Sequence, residues 1–198
     1  MRDRERRLLV EALAFALATH GDQKRKGSEI PYASHLLAVA GLVLEAGGDV
    51  AQAAAALLHD TIEDGDGVDE PRLRGRFGAD VAAIVAACSD LLPGDTRDRK
   101  SPWGERKQRY LAQLADAPLR ARLVAACDKL HNLRTLVADL RSHGLATLER
   151  FTASPEQTRW YYESAHRLLR DALPVGIRRE FDDLIEALRG FVARAEAP

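Results

Sequence analysis

The 198-residue sequence predicts an all-α helical bundle, and three observations carry that prediction. Apolar residues recur at spacings of three and four through most of the chain, β-branched alternation is nearly absent, and the pattern breaks at glycine and proline. The 46% hydrophobic fraction is rich in alanine, which favours helix and lets helices approach closely. The length suits one domain with a substantial core and is short for two, so residues 1–198 are expected to form a single domain.

The first helix is expected from about Arg4 to Thr19, with Leu8, Leu9, Ala12, Leu13, Ala16 and Leu17 on one face. Its basic-then-apolar start is amphipathic, and no apolar run reaches the ~18 residues of a membrane span. The polar loop HGDQKRKGSEIP follows. A second helix spans about Ala33 to Glu45 and stops at Gly47 and Gly48. The third, Val50 to Ile62, is apolar on nearly every side, which predicts burial at the bundle centre. After Gly65 to Gly67, a short helix runs from about Glu70 to Gly78, and another from Ala79 to Cys88. Residues 89–102, SDLLPGDTRDRKSP, read as a flexible loop beside the site. Ser101 and Pro102 then read as N-cap and first turn of a helix through Ala115. Pro118 opens the next helix, which carries Asp128, and the chain turns near Gly144. Ser154-Pro155-Glu156-Gln157 has the form of a capping box and introduces a helix with Trp160, Tyr161 and Tyr162. After Pro174, a final helix from about Arg178 to Ala195 packs through Phe181, Leu184, Ile185, Leu188 and Phe191. The motif-bearing part is expected over about residues 10–140, and the C-terminal helices over about 154–195.

A net charge of −1 and a pI near 6.6 give no overall positive field to hold a nucleic-acid backbone. Local basic residues leave room for a small anionic ligand. Cys88 and Cys127 lie in apolar helical runs and read as reduced buried thiols, which suggests a reducing compartment, the cytoplasm. The sequence leaves the oligomeric state open.

The chemistry concentrates at the end of the third predicted helix, where His59, Asp60, Glu63 and Asp64 crowd its last turn. Carboxylates at a helix C-terminus are repelled unless a cation compensates them. Together with His35 on the preceding helix and Asp128 in LVAACDKLHNLRTL, His59 and Asp60 make a mixed nitrogen and oxygen set. Such a set suits one manganese, iron or zinc ion better than magnesium. A bound cation of this kind makes water a usable nucleophile near neutral pH and polarises a phosphoryl oxygen, which points to phosphate-ester hydrolysis. Glu63 and Asp64 lie one turn on, where they can orient or deprotonate the nucleophile. Lys24, Arg25 and Lys26 form either a polyphosphate-binding loop or a solvated turn, and Arg106, Lys107 and Arg109 share that ambiguity. Tyr161 either stacks on a base or belongs to the core. His20, His131, His143 and His166 are read as structural.

The blocks HGDQKRKGSEIPYASH, AAALLHDTIEDG, RFG and AACDKLHNLRTL, in this order, resemble the HD-domain hydrolases of the RelA/SpoT type, particularly the small alarmone hydrolases. The resemblance implies an all-α HD bundle with one manganese ion. It also implies removal of the 3′-pyrophosphate from guanosine tetra- and pentaphosphate. Carried across, it makes His35, His59, Asp60 and Asp128 the metal ligands and Glu63 and Asp64 the catalytic pair. Arg25 and Lys26 match the basic substrate loop, Asn132 a nucleoside-contacting asparagine, and Tyr161 an aromatic near the base. No nucleotidyl-transfer domain is expected. Two departures bear on the polyphosphate contacts: Cys88-Ser89-Asp90 replaces a threonine-rich turn followed by basic residues, and Trp103 stands where some relatives have lysine. The rival readings are an HD phosphohydrolase acting on another nucleotide or a phosphorylated dinucleotide cofactor, and a catalytically silent nucleotide sensor.

Overall fold

A computed structural model of the chain describes residues 1–92, 94–96 and 99–195. Ten α-helices follow one another among the described residues: α1 Asp3–His20, α2 Ala33–Glu45, α3 Val50–Leu58, α4 Thr61–Asp64, α5 Glu70–Phe77, α6 Ala79–Cys88, α7 Trp103–Asp116, α8 Leu119–His143, α9 Pro155–Leu169 and α10 Val175–Ala195. Short 3-10 segments, Gly144–Arg150 and Arg170–Ala172, flank α9. The protein is all-α, and its described residues contain one isolated bridge, Lys24 with Pro31, and no strand.

Helix α3 is the axis of the bundle and packs against α1, α2, α6 and α8. Its start is fixed by a reciprocal cap. Asp49 accepts from the Gln52 backbone N–H at 3.0 Å, and the Gln52 side chain accepts from the Asp49 N–H at 3.0 Å. Ala53, Ala54, Ala55 and Ala56 are all fully buried, since methyl-sized side chains let four neighbouring helices close on one. Along α8, Ala121, Val124, Ala125, Leu130, Leu133, Val137 and Leu140 are buried, and this helix packs against α2, α3, α6, α9 and α10. Helices α9 and α10 pack on one another and on α8. None of the helices is long and apolar enough, over the described residues, to cross a membrane.

The chain departs from the sequence expectation at three element boundaries. The third helix does not run to Ile62: it ends at Leu58, and a new one-turn helix starts at Thr61. The Thr61 hydroxyl donates to the Leu58 carbonyl at 2.7 Å, satisfying a group that helix termination leaves free. Glu63 and Asp64 therefore lie in the first turn of α4, with Asp60 at its N-cap position. Because α4 is a single turn of four residues, Glu63 and Asp64 also stand at its C-terminal end, next to the Gly65 C-cap, and gain no favourable placement from a helix dipole. Ser101 is not an N-cap. Pro102 holds that position, and the Ser101 hydroxyl donates to Asp95 at 2.7 Å. The last helix starts at Val175 rather than near Arg178. Cys88 and Cys127 are buried free thiols, and burial pushes both above the ordinary thiol range.

Candidate metal centre and substrate cavity

His35 comes from the first turn of α2, His59 and Asp60 from the break between α3 and α4, and Asp128 from the middle of α8. Among the described residues, His35, His59 and Asp128 each offer a ligand atom, and these atoms lie within 4.8 Å of one another. His35 Nε2 is 3.3 Å from His59 Nε2 and 3.2 Å from Asp128 Oδ1. Asp60 Oδ2 stands 2.9 Å from His59 Nε2 and 3.8 Å from His35 Nε2. Adjacent residues on a helix diverge by about 100°; His59 and Asp60 keep right-handed helical backbone at the junction of α3 and α4, and their side chains still meet, with Asp60 Oδ2 against His59 Nε2.

The far side of each imidazole is already engaged. His59 Nδ1–H donates to the Ala56 carbonyl at 2.7 Å, and His35 Nδ1 pairs with His131 Nδ1 at 2.8 Å. Both rings thus turn Nε2 inward, the arrangement that second-sphere partners impose on metal-binding histidines. Asp128 is gripped by two neighbours besides the imidazoles, and one of these is braced in turn by Arg25. Lys129 Nζ donates to Oδ2 at 2.5 Å, the Asn132 amide donates to Oδ1 at 2.5 Å, and Asn132 Oδ1 accepts in turn from Arg25 at 2.8 Å. The Tyr32 hydroxyl donates to Asp60 Oδ2.

The electrostatics call for a cation at this point. Burial alone would push the Asp128 carboxyl up, but Lys129 and the two imidazoles outweigh it and hold it well below the usual carboxylate range. Burial would push His59 down, yet the Asp60 and Asp128 charges raise it well above the ordinary imidazole value. The buried Asp128 and the partly buried Asp60, which together favour a proton on His59, would equally favour a divalent ion in its stead, and the donor set fits one.

Glu63 and Asp64 have different partners. Burial, followed by the Asp90 and Asp60 charges, lifts the Glu63 carboxyl to about 7 despite nearby Lys100. Glu63 accepts from the Asp90 backbone N–H at 2.9 Å and from Lys100 Nζ at 3.2 Å. Asp64 Oδ2 accepts from the Gln23 amide at 3.0 Å, and Gln23 is itself held by His20 Nδ1 at 2.9 Å.

A cavity of about 980 Å³ adjoins the cluster. Tyr32, Lys129, His131 and Asn132 line it while touching His35, Asp60 or Asp128 from behind. Arg25, Lys26, Arg106 and Lys107 bring positive charge to its walls, and Trp103 and Tyr161 bring aromatic rings. Tyr161 is buried with its hydroxyl unpartnered, and Lys107 Nζ lies 5.0 Å from its ring centre. The predicted substrate residues Arg25, Lys26, Asn132 and Tyr161 thus meet in one cavity.

Sequence reasoning assigned no partner to His20, His131 or His166. The structure gives each one: His20 bonds Gln23, His131 bonds His35, and His166 bonds Asp182. Sequence reasoning also gave no role to Tyr32 or Lys129, and noted Asp90 only as part of the Cys88-Ser89-Asp90 turn. Tyr32 precedes His35 by three residues and His131 follows Asp128 by three, so helical spacing from the ligands was the available signal for both.

The HD-domain family model matches residues 12–154. The chain belongs to the HD-domain family. A probable guanosine-3′,5′-bis(diphosphate) 3′-pyrophosphohydrolase of Synechocystis sp. is 37% identical over 132 residues, 66% of this chain but 17% of that protein. The chain thus spans under a fifth of the length of this relative. The guanosine-3′,5′-bis(diphosphate) 3′-pyrophosphohydrolase MESH1 of Xenopus tropicalis is 39% identical over 65% of this HD-domain chain and 69% of its own length. Among solved structures, a metazoan ortholog of SpoT described as hydrolysing ppGpp superposes with a TM-score of 0.70 at 27% identity, covering 93% of this chain and 96% of that one.

Proposed function

We propose that this HD-domain protein removes the 3′-pyrophosphate from guanosine tetra- and pentaphosphate, yielding GDP or GTP and pyrophosphate. The observation that carries the reading is the convergence of His35 on α2, His59 at the α3–α4 junction and Asp128 on α8 onto one point beside a cationic, aromatic-walled cavity. The activities named for the similar proteins support the choice of substrate.

In this reading His35, His59, Asp60 and Asp128 hold a single divalent ion, manganese by preference, with iron and zinc compatible with the same donors. When bound, such an ion lowers the proton affinity of water and polarises a phosphoryl oxygen. The chain's own groups do the rest. Glu63, whose carboxyl titrates near the operating pH, takes a proton from the attacking water. Asp64, fixed by Gln23, orients that water. Arg25 and Lys26 meet the polyphosphate, Asn132 joins the nucleoside side of the cavity to Asp128, and Tyr161 offers its ring to the base. A cytoplasmic setting, where such nucleotides occur, fits the two reduced thiols.

The test is incubation of purified protein with guanosine tetraphosphate and manganese, with Asp64→Asn alongside. Turnover is expected to require metal and to collapse in the variant. Equal activity of the two proteins refutes the role given to Asp64.

A further inference from the structure

Asp90 is a buried acid that the reaction as described does not use. Its side chain is 5% exposed. A carboxylate so placed is costly unless paired. Arg106 Nη1 donates to Oδ1 at 2.6 Å, and Lys107 Nζ donates to Oδ2. Burial would raise this carboxyl, but Lys107 and Arg106 prevail and hold it at about 2, so both ion pairs persist across the neutral range. Arg106 also donates through Nε to the Ser101 carbonyl at 3.1 Å. One guanidinium from the first turn of α7 thereby holds the start and the end of the segment that joins α6 to α7. Asp95 closes the same segment, accepting from the Ser101 backbone N–H at 2.9 Å and the Leu92 N–H at 3.1 Å.

The backbone of this anchored segment reaches the candidate catalytic acid. The Asp90 N–H donates to Glu63 Oε1 at 2.9 Å, and Lys100 Nζ donates to Oε2 at 3.2 Å. Both Glu63 oxygens are thus held by residues 90 and 100, and residue 90 is held by two cations that also line the cavity. Side-chain ion pairs on one side of Asp90 and a backbone hydrogen bond on the other make a single rigid link.

We propose that Asp90 is a positioning residue: by pairing with Arg106 and Lys107 it fixes its own backbone N–H against Glu63 and ties that carboxylate to the cationic wall of the substrate cavity. The proposal rests on the reading of Glu63 as the proton acceptor. Asp90 touches no reacting atom and acts only through Glu63, so its loss misplaces the base without emptying the cavity. Misplacement of a catalytic group by about 1 Å costs on the order of a hundredfold in rate.

Asp90→Asn keeps the side-chain shape and the backbone N–H while removing the charge that anchors them. In steady-state assays with guanosine tetraphosphate, kcat is expected to fall about ten- to a hundredfold, with KM and bound metal within about threefold of wild type. A raised KM at unchanged kcat would make Asp90 a tuner of the cavity wall and overturn the proposal, as would wild-type values of both. A second measurement needs neither substrate nor the Asp90 variant. In the 15N–1H correlation spectrum, the Asp90 amide proton is expected to move upfield in Glu63→Ala, through loss of its carboxylate acceptor; an unmoved signal overturns the proposal. Should the wild type fail to hydrolyse guanosine tetraphosphate, the functional reading falls, while the amide signal still decides whether the link exists.

Discussion

The Nδ1 atoms of His35 and His131 lie 2.8 Å apart, so one of the two carries the hydrogen and the other receives it. Burial, together with the charges of His35 and Arg25, lowers His131 to about 4, which leaves its ring neutral at physiological pH and able to accept. A ligand imidazole offers a lone pair from Nε2, so in that role His35 carries its hydrogen on Nδ1, donates it to His131 and turns Nε2 to His59 and Asp128. The orientation of a candidate ligand on α2 is therefore set from α8, which is why the pair belongs to the site although no reacting group touches His131.

His131→Ala removes that acceptor. Loss of an outer-sphere partner of a metal-binding histidine weakens metal affinity about 10- to 100-fold. Competition of manganese against a fluorescent chelator is expected to show a loss of that size in the variant, with helical content by circular dichroism unchanged. Wild-type affinity would mean that His35 is oriented without His131.

Metal affinity should depend on pH in a definite direction. Asp60 and Asp128 raise His59 well above the ordinary imidazole value, and a ligand imidazole must give up the shared proton before it binds an ion. Affinity is expected to climb as pH rises through the raised His59 value, and to fall again on acidification. Calorimetric titrations in buffers of different ionisation enthalpy should show proton release that shrinks at high pH. A pH-independent affinity would remove His59 from the ligand set.

Arg25 bonds Asn132 and Thr135 at 2.8 and 3.3 Å, and all three line the cavity. If it meets the polyphosphate, Arg25→Ala removes a charge-assisted contact worth about 1.5–3 kcal/mol. KM should rise at least about tenfold, with kcat affected less. A lowered kcat at unchanged KM would instead place Arg25 at the reacting phosphorus.

The alanine axis makes a prediction about stability. Ala55 is fully buried in α3, where four neighbouring helices leave no room for three more carbons. Ala55→Leu is expected to cost about 1–3 kcal/mol by overpacking, read as an earlier midpoint in urea denaturation at unchanged slope. A neutral outcome would show slack around α3.

The helices and the convergence of His35, His59 and Asp128 could be read from the sequence, the first from local rules and the second from the order of the blocks. Apolar periodicity marks the bundle, and the blocks around His35, His59 and Asp128 keep the order that the resemblance required. What escaped depends on contacts made only after folding. AAAALLHDTI contains neither glycine nor proline, so nothing local announced the break after Leu58; the Thr61 hydroxyl and the packing around it supply the reason. Ser101 stands next to Pro102 as a cap would, yet Asp95 claims its hydroxyl and backbone N–H. Asp90 lies 27 residues from Glu63, and no spacing rule reaches across that interval. His131 looked like an isolated imidazole because its partner sits on another helix.

The most direct test of the account is a 31P NMR time course of the purified protein with manganese and guanosine tetraphosphate, repeated with Asp128→Asn. The account predicts GDP and pyrophosphate as paired products from the wild type, no orthophosphate, and neither product from the variant. Release of orthophosphate, or equal product formation after Asp128 has lost its charge, would contradict it.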